Sequence, residues 1–142
     1  MQFVLDCSVA ISWCLVDENN DYANAILAMM PDSEAFVPGI WSLEIANVLL
    51  VAERRNRQTQ EQSEQAIALL QSLLIQVDTA TNANALGATL TLGRTVGLAA
   101  YDAAYLELAL RLGLPLATLD TRLASAATRC GVELVVVDEE TP

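Results

Sequence analysis

Phe3-Val4-Leu5-Asp6-Cys7-Ser8 is a run of three apolar residues followed by an acid and two small residues that can open a helix. A run this short and continuous reads as a strand buried on both faces, the kind found in parallel sheets covered by helices. The same grammar returns at Leu116-Ala117-Thr118-Leu119-Asp120, with Leu116 to Thr118 as the candidate strand. Further candidate strands are Ala35 to Val37, Leu74 to Val77 and Leu134 to Val137. Each is preceded or followed by a helical pattern, so the spacing predicts an α/β fold built on five short parallel strands.

The helices between them carry their own signals. Trp41, Ile45, Val48, Leu49 and Ala52 share one face, as do Ala66, Ile67, Leu70, Leu73 and Leu74. Thr59 with Gln62 has the spacing of a capping box. The stretch from Ala99 to Leu112 is apolar almost all round and ends in Arg111 and Gly113 with Pro115 beyond, which predicts a buried helix with a defined stop. Gly131 can close a helix from Thr121 to Cys130 in the same way.

With 142 residues and 54% hydrophobic against 18% charged composition, the chain is long and apolar enough for one domain spanning 1–142. Its three cysteines make no C-x-x-C pair, which predicts neither a disulfide framework nor a zinc knuckle and fits a reducing cytoplasm. Asp6 interrupts the apolar N-terminal stretch and no basic residue precedes it, so neither an export signal nor a membrane span is expected. The net charge is −11, with seven arginines, no lysine and no histidine. Such a field repels nucleic acid in general, so a polyanionic substrate needs local help. The missing histidine removes Ser-His-Asp chemistry and the usual imidazole ligands of zinc. Carboxylates remain, and they suit hard cations such as Mg²⁺ or Mn²⁺.

Four acids stand out on this scaffold. Asp6 and Asp120 follow predicted strands, where ligands of open α/β sheets bind. Glu44 and Asp102 each sit alone early in an apolar helix, where an unpaired charge is costly. A shared metal accounts for all four. Asp6 and Asp120 are also well placed as helix N-caps, and a first-turn acid favours the helix dipole. Glu107 lies five residues beyond Asp102, about 140° round the helix, and is expected to face solvent or Arg111 instead of the other acids. Three other classes fit poorly: a phosphoacceptor receiver needs a lysine, a haloacid-dehalogenase-type phosphatase needs an acid where Ser8 stands, and a dinucleotide site needs G-x-G-x-x-G.

Taken in order, Val4-Leu5-Asp6-Cys7-Ser8, Glu44-Ile45-Ala46-Asn47-Val48-Leu49, Tyr101-Asp102-Ala103-Ala104-Tyr105-Leu106 and Ala117-Thr118-Leu119-Asp120 resemble the PIN domain, and most of all the VapC-type toxins of type II toxin-antitoxin pairs. The resemblance covers nearly the whole chain. It implies a three-layer α/β/α sandwich with a five-stranded parallel sheet and an endoribonuclease dependent on Mg²⁺ or Mn²⁺. Asp6, Glu44, Asp102 and Asp120 match the family's acidic quartet, with Asp6 and Asp102 as direct metal ligands. Ser8, Asn47 and Thr118 match its supporting polar positions, although Ser8 serves equally well as a helix cap.

The resemblance further implies an RNA substrate, tRNA especially, a homodimer, and a small VapB-like antitoxin whose tail covers the site. The alternative is a PIN-like scaffold that binds a protein partner or RNA without cutting it. Arg54, Arg55 and Arg57 cluster at a helix end and read as dipole partners. Arg94 and Arg122, near the Asp102 and Asp120 segments in sequence, are the candidates for phosphate contact.

Overall fold

Phe3, Val4 and Leu5 are fully buried in the computed structural model, which describes residues 1–137. They belong to β1 (Gln2–Leu5), an inner strand of a parallel sheet. On one side β1 pairs with β2 (Glu34–Val37), with Phe3 opposite Ala35 and Val4 opposite Phe36. On the other it pairs with β4 (Leu116–Ala117), setting Val4 against Leu116 and Leu5 against Ala117. The edge strand β3 (Ile75–Val77) lies beyond β2, so the order is β3-β2-β1-β4. Parallel pairing puts the C-terminal ends of β1 and β4 side by side, and therefore Asp6 beside the Thr118–Asp120 turn.

Among the described residues the sheet has four strands, not the five expected. Leu134 makes one parallel bridge to Leu116, through Leu116 N–H to Glu133 O and Val135 N–H to Leu116 O, both 2.9 Å. Among the described residues the pairing stops at this bridge, beside a β4 that is only two residues long. Val136 is 85% exposed, so the alternation of this β-branched run finds nothing to cover it. Thr118, expected as the last residue of its strand, has left the ladder and uses its side chain instead.

The helices form two groups. α1 (Cys7–Cys14) packs against α2 (Asp21–Met29), α3 (Trp41–Arg54) and α4 (Gln60–Ser72). The second group follows β3: α5 (Thr81–Asn84), a π-helical turn over Ala85–Thr89, α6 (Leu90–Val96), α7 (Ala100–Leu112) and, after β4, α8 (Thr121–Arg129). α7 packs on β1, α6 and α8, and its residues Ala103 to Ala109 are all buried. It stops at Gly113, whose φ of 66° is the left-handed cap that glycine takes without strain. Thr59 and Gln62 form the reciprocal capping box at the start of α4.

The three cysteines are free. Among the described residues no helix is long and apolar enough to cross a membrane.

Candidate active site

Asp6 occupies the N-cap position of α1, yet its carboxylate caps nothing. It is 3% exposed, and its Oδ2 accepts hydrogen bonds from the hydroxyls of Ser8 (2.6 Å) and Thr118 (2.8 Å). Each hydroxyl in turn accepts a backbone N–H: Ser8 from Leu119 (2.9 Å), and Thr118 from Asp120 (3.0 Å). The turn after β4 is thereby tied to the acid after β1 by two short relays. Hydroxyls polarised in this way hold one rotamer of Asp6 and leave its Oδ1 outside both bonds.

Glu44, in the first turn of α3, is fixed from two other elements. The buried Tyr105 of α7 donates its hydroxyl to Oε1 at 2.6 Å, and the Cys7 thiol of α1 approaches Oε2 at 3.5 Å. Asp102 lies in the first turn of α7, half-buried and without a hydrogen-bonded partner among the described residues. Asp120 is the N-cap of α8: its Oδ1 accepts from Arg122 N–H (2.9 Å) and Leu123 N–H (3.3 Å). The capping role considered for Asp120 is therefore realised, while that for Asp6 is not.

The electrostatics join the four acids. Burial raises the Asp6 carboxyl pKa against the two hydroxyl bonds that lower it, and the charge on Asp120 raises it further. Glu44 is raised by burial and by the charges of Asp6 and Asp102, with the Tyr105 and Cys7 bonds opposing. Asp102 is raised by burial and then by Asp120 and Asp6, and only Arg122 pulls it down. The same surroundings push the Cys7 thiol and the Tyr105 phenol upward, chiefly by burial. One acid cluster with one opposing cation nearby is a place where added positive charge is favourable.

A hard divalent cation fits this set by chemistry, since its donors are carboxylate and hydroxyl oxygens. Among the described residues no group of three His, Cys, Asp or Glu side chains is drawn together closely enough to hold a metal ion.

The remaining expected residues divide. Ser8 and Thr118 bond Asp6 directly. Asn47 is exposed on α3 and makes no hydrogen bond to any of the four acids. Arg122 is near enough to act on Asp102, whereas Arg94 is an exposed residue in the last turn of α6. Glu107 is buried and bonded to Arg111, so of the two placements expected for it the solvent one does not occur. Cys7 and Tyr105 were not foreseen. A tyrosine three residues after Asp102 on a buried helix was the available signal, because a buried phenol needs an acceptor.

Comparison with known proteins places this arrangement in a wider context. The family model described as PIN domain matches residues 3–128. No protein with a curated description matches the chain by sequence. Among solved structures, PAE2754 from Pyrobaculum aerophilum is similar at 20% identity over 89% of this chain and 87% of that one, with a TM-score of 0.65. VapBC2 from Rickettsia felis, solved bound to a DNA fragment from their promoter, is similar at 14% identity over 97% and 100%, with a TM-score of 0.66. FitAcB from Neisseria gonorrhoeae is similar at 22% identity over 96% and 97%, with a TM-score of 0.52. At these identities the likeness is one of fold.

Proposed function

The chain belongs to the PIN domain family, a family of nucleases in general, and from that premise we propose that it is an endoribonuclease dependent on Mg²⁺ or Mn²⁺. In this reading it hydrolyses RNA phosphodiester bonds, tRNA among them, as the toxin of a toxin-antitoxin pair. The observation that carries the proposal is the cluster itself: Asp6, Glu44 and Asp102 all have raised carboxyl pKa values, and each is raised in part by another acid of the quartet. Burial is the first cause of each rise, and acids buried beside like charges gather at functional sites.

Asp6 and Asp102 would hold the cation most directly, with Glu44 and Asp120 beside them. When bound, the ion would neutralise charge at a phosphate oxygen and lower the pKa of a water, so that loss of its proton gives the nucleophile for phosphorus. The chain's own part is preorganisation. Ser8 and Thr118 keep Asp6 in one rotamer, and Tyr105 keeps Glu44 turned inward. Asp120 spends Oδ1 on the α8 cap and keeps Oδ2 outside those bonds. No side chain of the cluster needs to form a covalent intermediate.

A VapB-like antitoxin with a basic tail residue is the fitting partner in a cytoplasmic setting, because a guanidinium or ammonium placed against the quartet would stand in electrostatically for the metal. A second copy of the chain has exposed apolar surface available on α3, at Leu43 and Leu50, for a homodimer. The test of the activity is direct: purified protein is incubated with single-stranded and structured RNA in Mg²⁺, Mn²⁺ or excess EDTA. Cleavage with either ion and none in EDTA is expected. Binding without cleavage under every condition would leave a PIN scaffold that has lost its chemistry, and full activity in EDTA would remove the metal from the proposal.

A further inference from the structure

Of the seven arginines, Arg57 pairs with Asp17, and Arg111 pairs with Asp78 and Glu107. The other five, Arg54, Arg55, Arg94, Arg122 and Arg129, have no carboxylate partner within salt-bridge distance among the described residues, in a chain with 18 acidic side chains, and two of them share one cleft: Arg122 and Arg129. Both lie on the exposed face of α8 with Ser125 between them, at positions i, i+3 and i+7, while Leu123, Ala126 and Ala127 turn inward. Together with the backbone from Val96 to Leu98 they line a cleft of about 310 Å³ between the end of α6 and α8.

Both guanidiniums touch the end of α6: Arg122 donates to Gly97 O and Arg129 to Val96 O, each at 3.3 Å. Capping a helix C-terminus is the plain explanation for such contacts. It leaves most of each side chain unused. Each bond employs one nitrogen at the long end of the hydrogen-bond range, and a guanidinium has five N–H donors in a planar fork. The cleft also begins where the acid cluster ends. Thr121 follows Asp120 directly and lines the cleft, and the charge of Arg122 is felt at Asp102.

We infer that this α6–α8 cleft is a flanking-phosphate subsite, in which Arg129, with Arg122 and Ser125, takes a backbone phosphate next to the one presented to the acids. The inference rests on the nuclease reading for the identity of the neighbouring phosphate, but the binding itself is separable from catalysis. A phosphodiester matches the site because the planar forks can each bond its oxygens and the Ser125 hydroxyl adds a neutral donor. It also answers the charge problem: a chain of net charge −11 needs a local cationic surface to hold a polyanion. Arg122 and Arg129 stand two turns apart, about 10.5 Å along the helix axis, so the pair follows a strand of nucleic acid instead of pinching one phosphate.

The test measures binding of single-stranded RNA of two unrelated sequences in EDTA across a salt series, alongside cleavage in Mg²⁺ and Mn²⁺. Arg129→Ala is expected to weaken binding of both RNAs by about tenfold at low salt and to flatten log K against log salt by about 0.7. Arg129→Lys should keep most of that slope. Ser125→Glu, an exposed change that tests the cleft without deleting an α6 cap, should weaken binding at least as much. If wild type cleaves RNA while Arg129→Ala and Ser125→Glu bind like wild type with the same slope, the subsite is wrong and the nuclease reading stands. If the variants lose binding as expected but wild type cleaves with neither ion, the phosphate site stands and the nuclease reading fails. If wild type binds neither RNA in EDTA, the subsite is overturned, and cleavage with the two ions alone decides the nuclease reading.

Discussion

Helix α7 carries two acids five residues apart, and the fold treats them in opposite ways. Glu107, buried near its middle, accepts from Arg111 one turn later at 2.8 and 3.0 Å. The same guanidinium reaches Asp78 beyond β3 at 2.8 and 3.1 Å, and this holds the Asp78 carboxyl below its ordinary range. Asp102, at the first turn, has no bonded counter-charge and is raised by burial and by two other acids. An acid that serves the fold is given its cation within the fold. The other end of the helix keeps a concentration of negative charge that an external cation can relieve.

Removing a charge from the uncompensated end gives the largest effect. Asp102→Asn or Asp6→Asn should lower RNA cleavage by roughly 10³-fold or more. The folded, metal-free protein should be no less stable, because a member of a repelling cluster has been neutralised. Cleavage rates and thermal unfolding in EDTA read the two halves of this expectation. A variant that loses its fold together with its activity would make these acids structural and erase the contrast along α7.

At the compensated end the expected damage is to stability. Arg111→Ala leaves Glu107 and Asp78, 8% and 14% exposed, without their cation, which should cost about 2 kcal/mol. Denaturant unfolding measures this directly. The KM and kcat of the remaining folded protein should hardly change, because Arg111 bonds none of the quartet.

The relay between the two strand ends comes next in size. Thr118→Val keeps the shape but removes the hydroxyl that donates to Asp6 and accepts from Asp120 N–H. Cleavage should fall about tenfold, as expected when the group that orients a ligand is lost. Ser8→Ala should behave alike. Equal activity in both variants would mean that burial alone orients Asp6.

These contrasts were unequally visible in the sequence. Asp6 and Asp120 could be found because each directly follows a short apolar run, and the geometry of a parallel sheet puts such positions at one edge. Glu107 with Arg111 was legible as an i,i+4 pair, although only the structure shows that it is buried. The fifth strand was misread because Leu134-Val135-Val136-Val137 has strand composition, whereas pairing depends on a neighbour, and among the described residues it stops at one bridge beside the two-residue β4. Tyr105 and Cys7 reach Glu44 across 61 and 37 residues, distances at which local pattern carries no information. Asn47, which the resemblance matches to a supporting position, is exposed one turn beyond Glu44 and bonds none of the four acids.

The smallest expected effect is the pH dependence of stability, and here the two ends of α7 should differ in sign. At the Arg111 end, Asp78 has a folded pKa below its ordinary value of 3.8. It binds fewer protons folded than unfolded, so its stabilisation is complete above that value and is lost as pH falls through the depressed folded pKa. At the other end, Asp6, Glu44 and Asp102 have folded pKa values above 3.8, 4.5 and 3.8. They bind more protons folded than unfolded, so metal-free stability declines as pH rises from those values through the raised folded ones. Thermal unfolding in EDTA, followed from about pH 3 to pH 7, should therefore pass through a maximum in the weakly acidic range. Arg111→Ala should flatten only the acid limb, and Asp102→Asn only the limb above it. Mg²⁺ should restore stability on that upper limb alone, where the carboxylates are ionised and can bind it. If the two substitutions instead lower the curve by equal amounts at every pH, the difference in charge between the ends of α7 contributes nothing to folding, and the cluster's repulsion is already relieved by solvent.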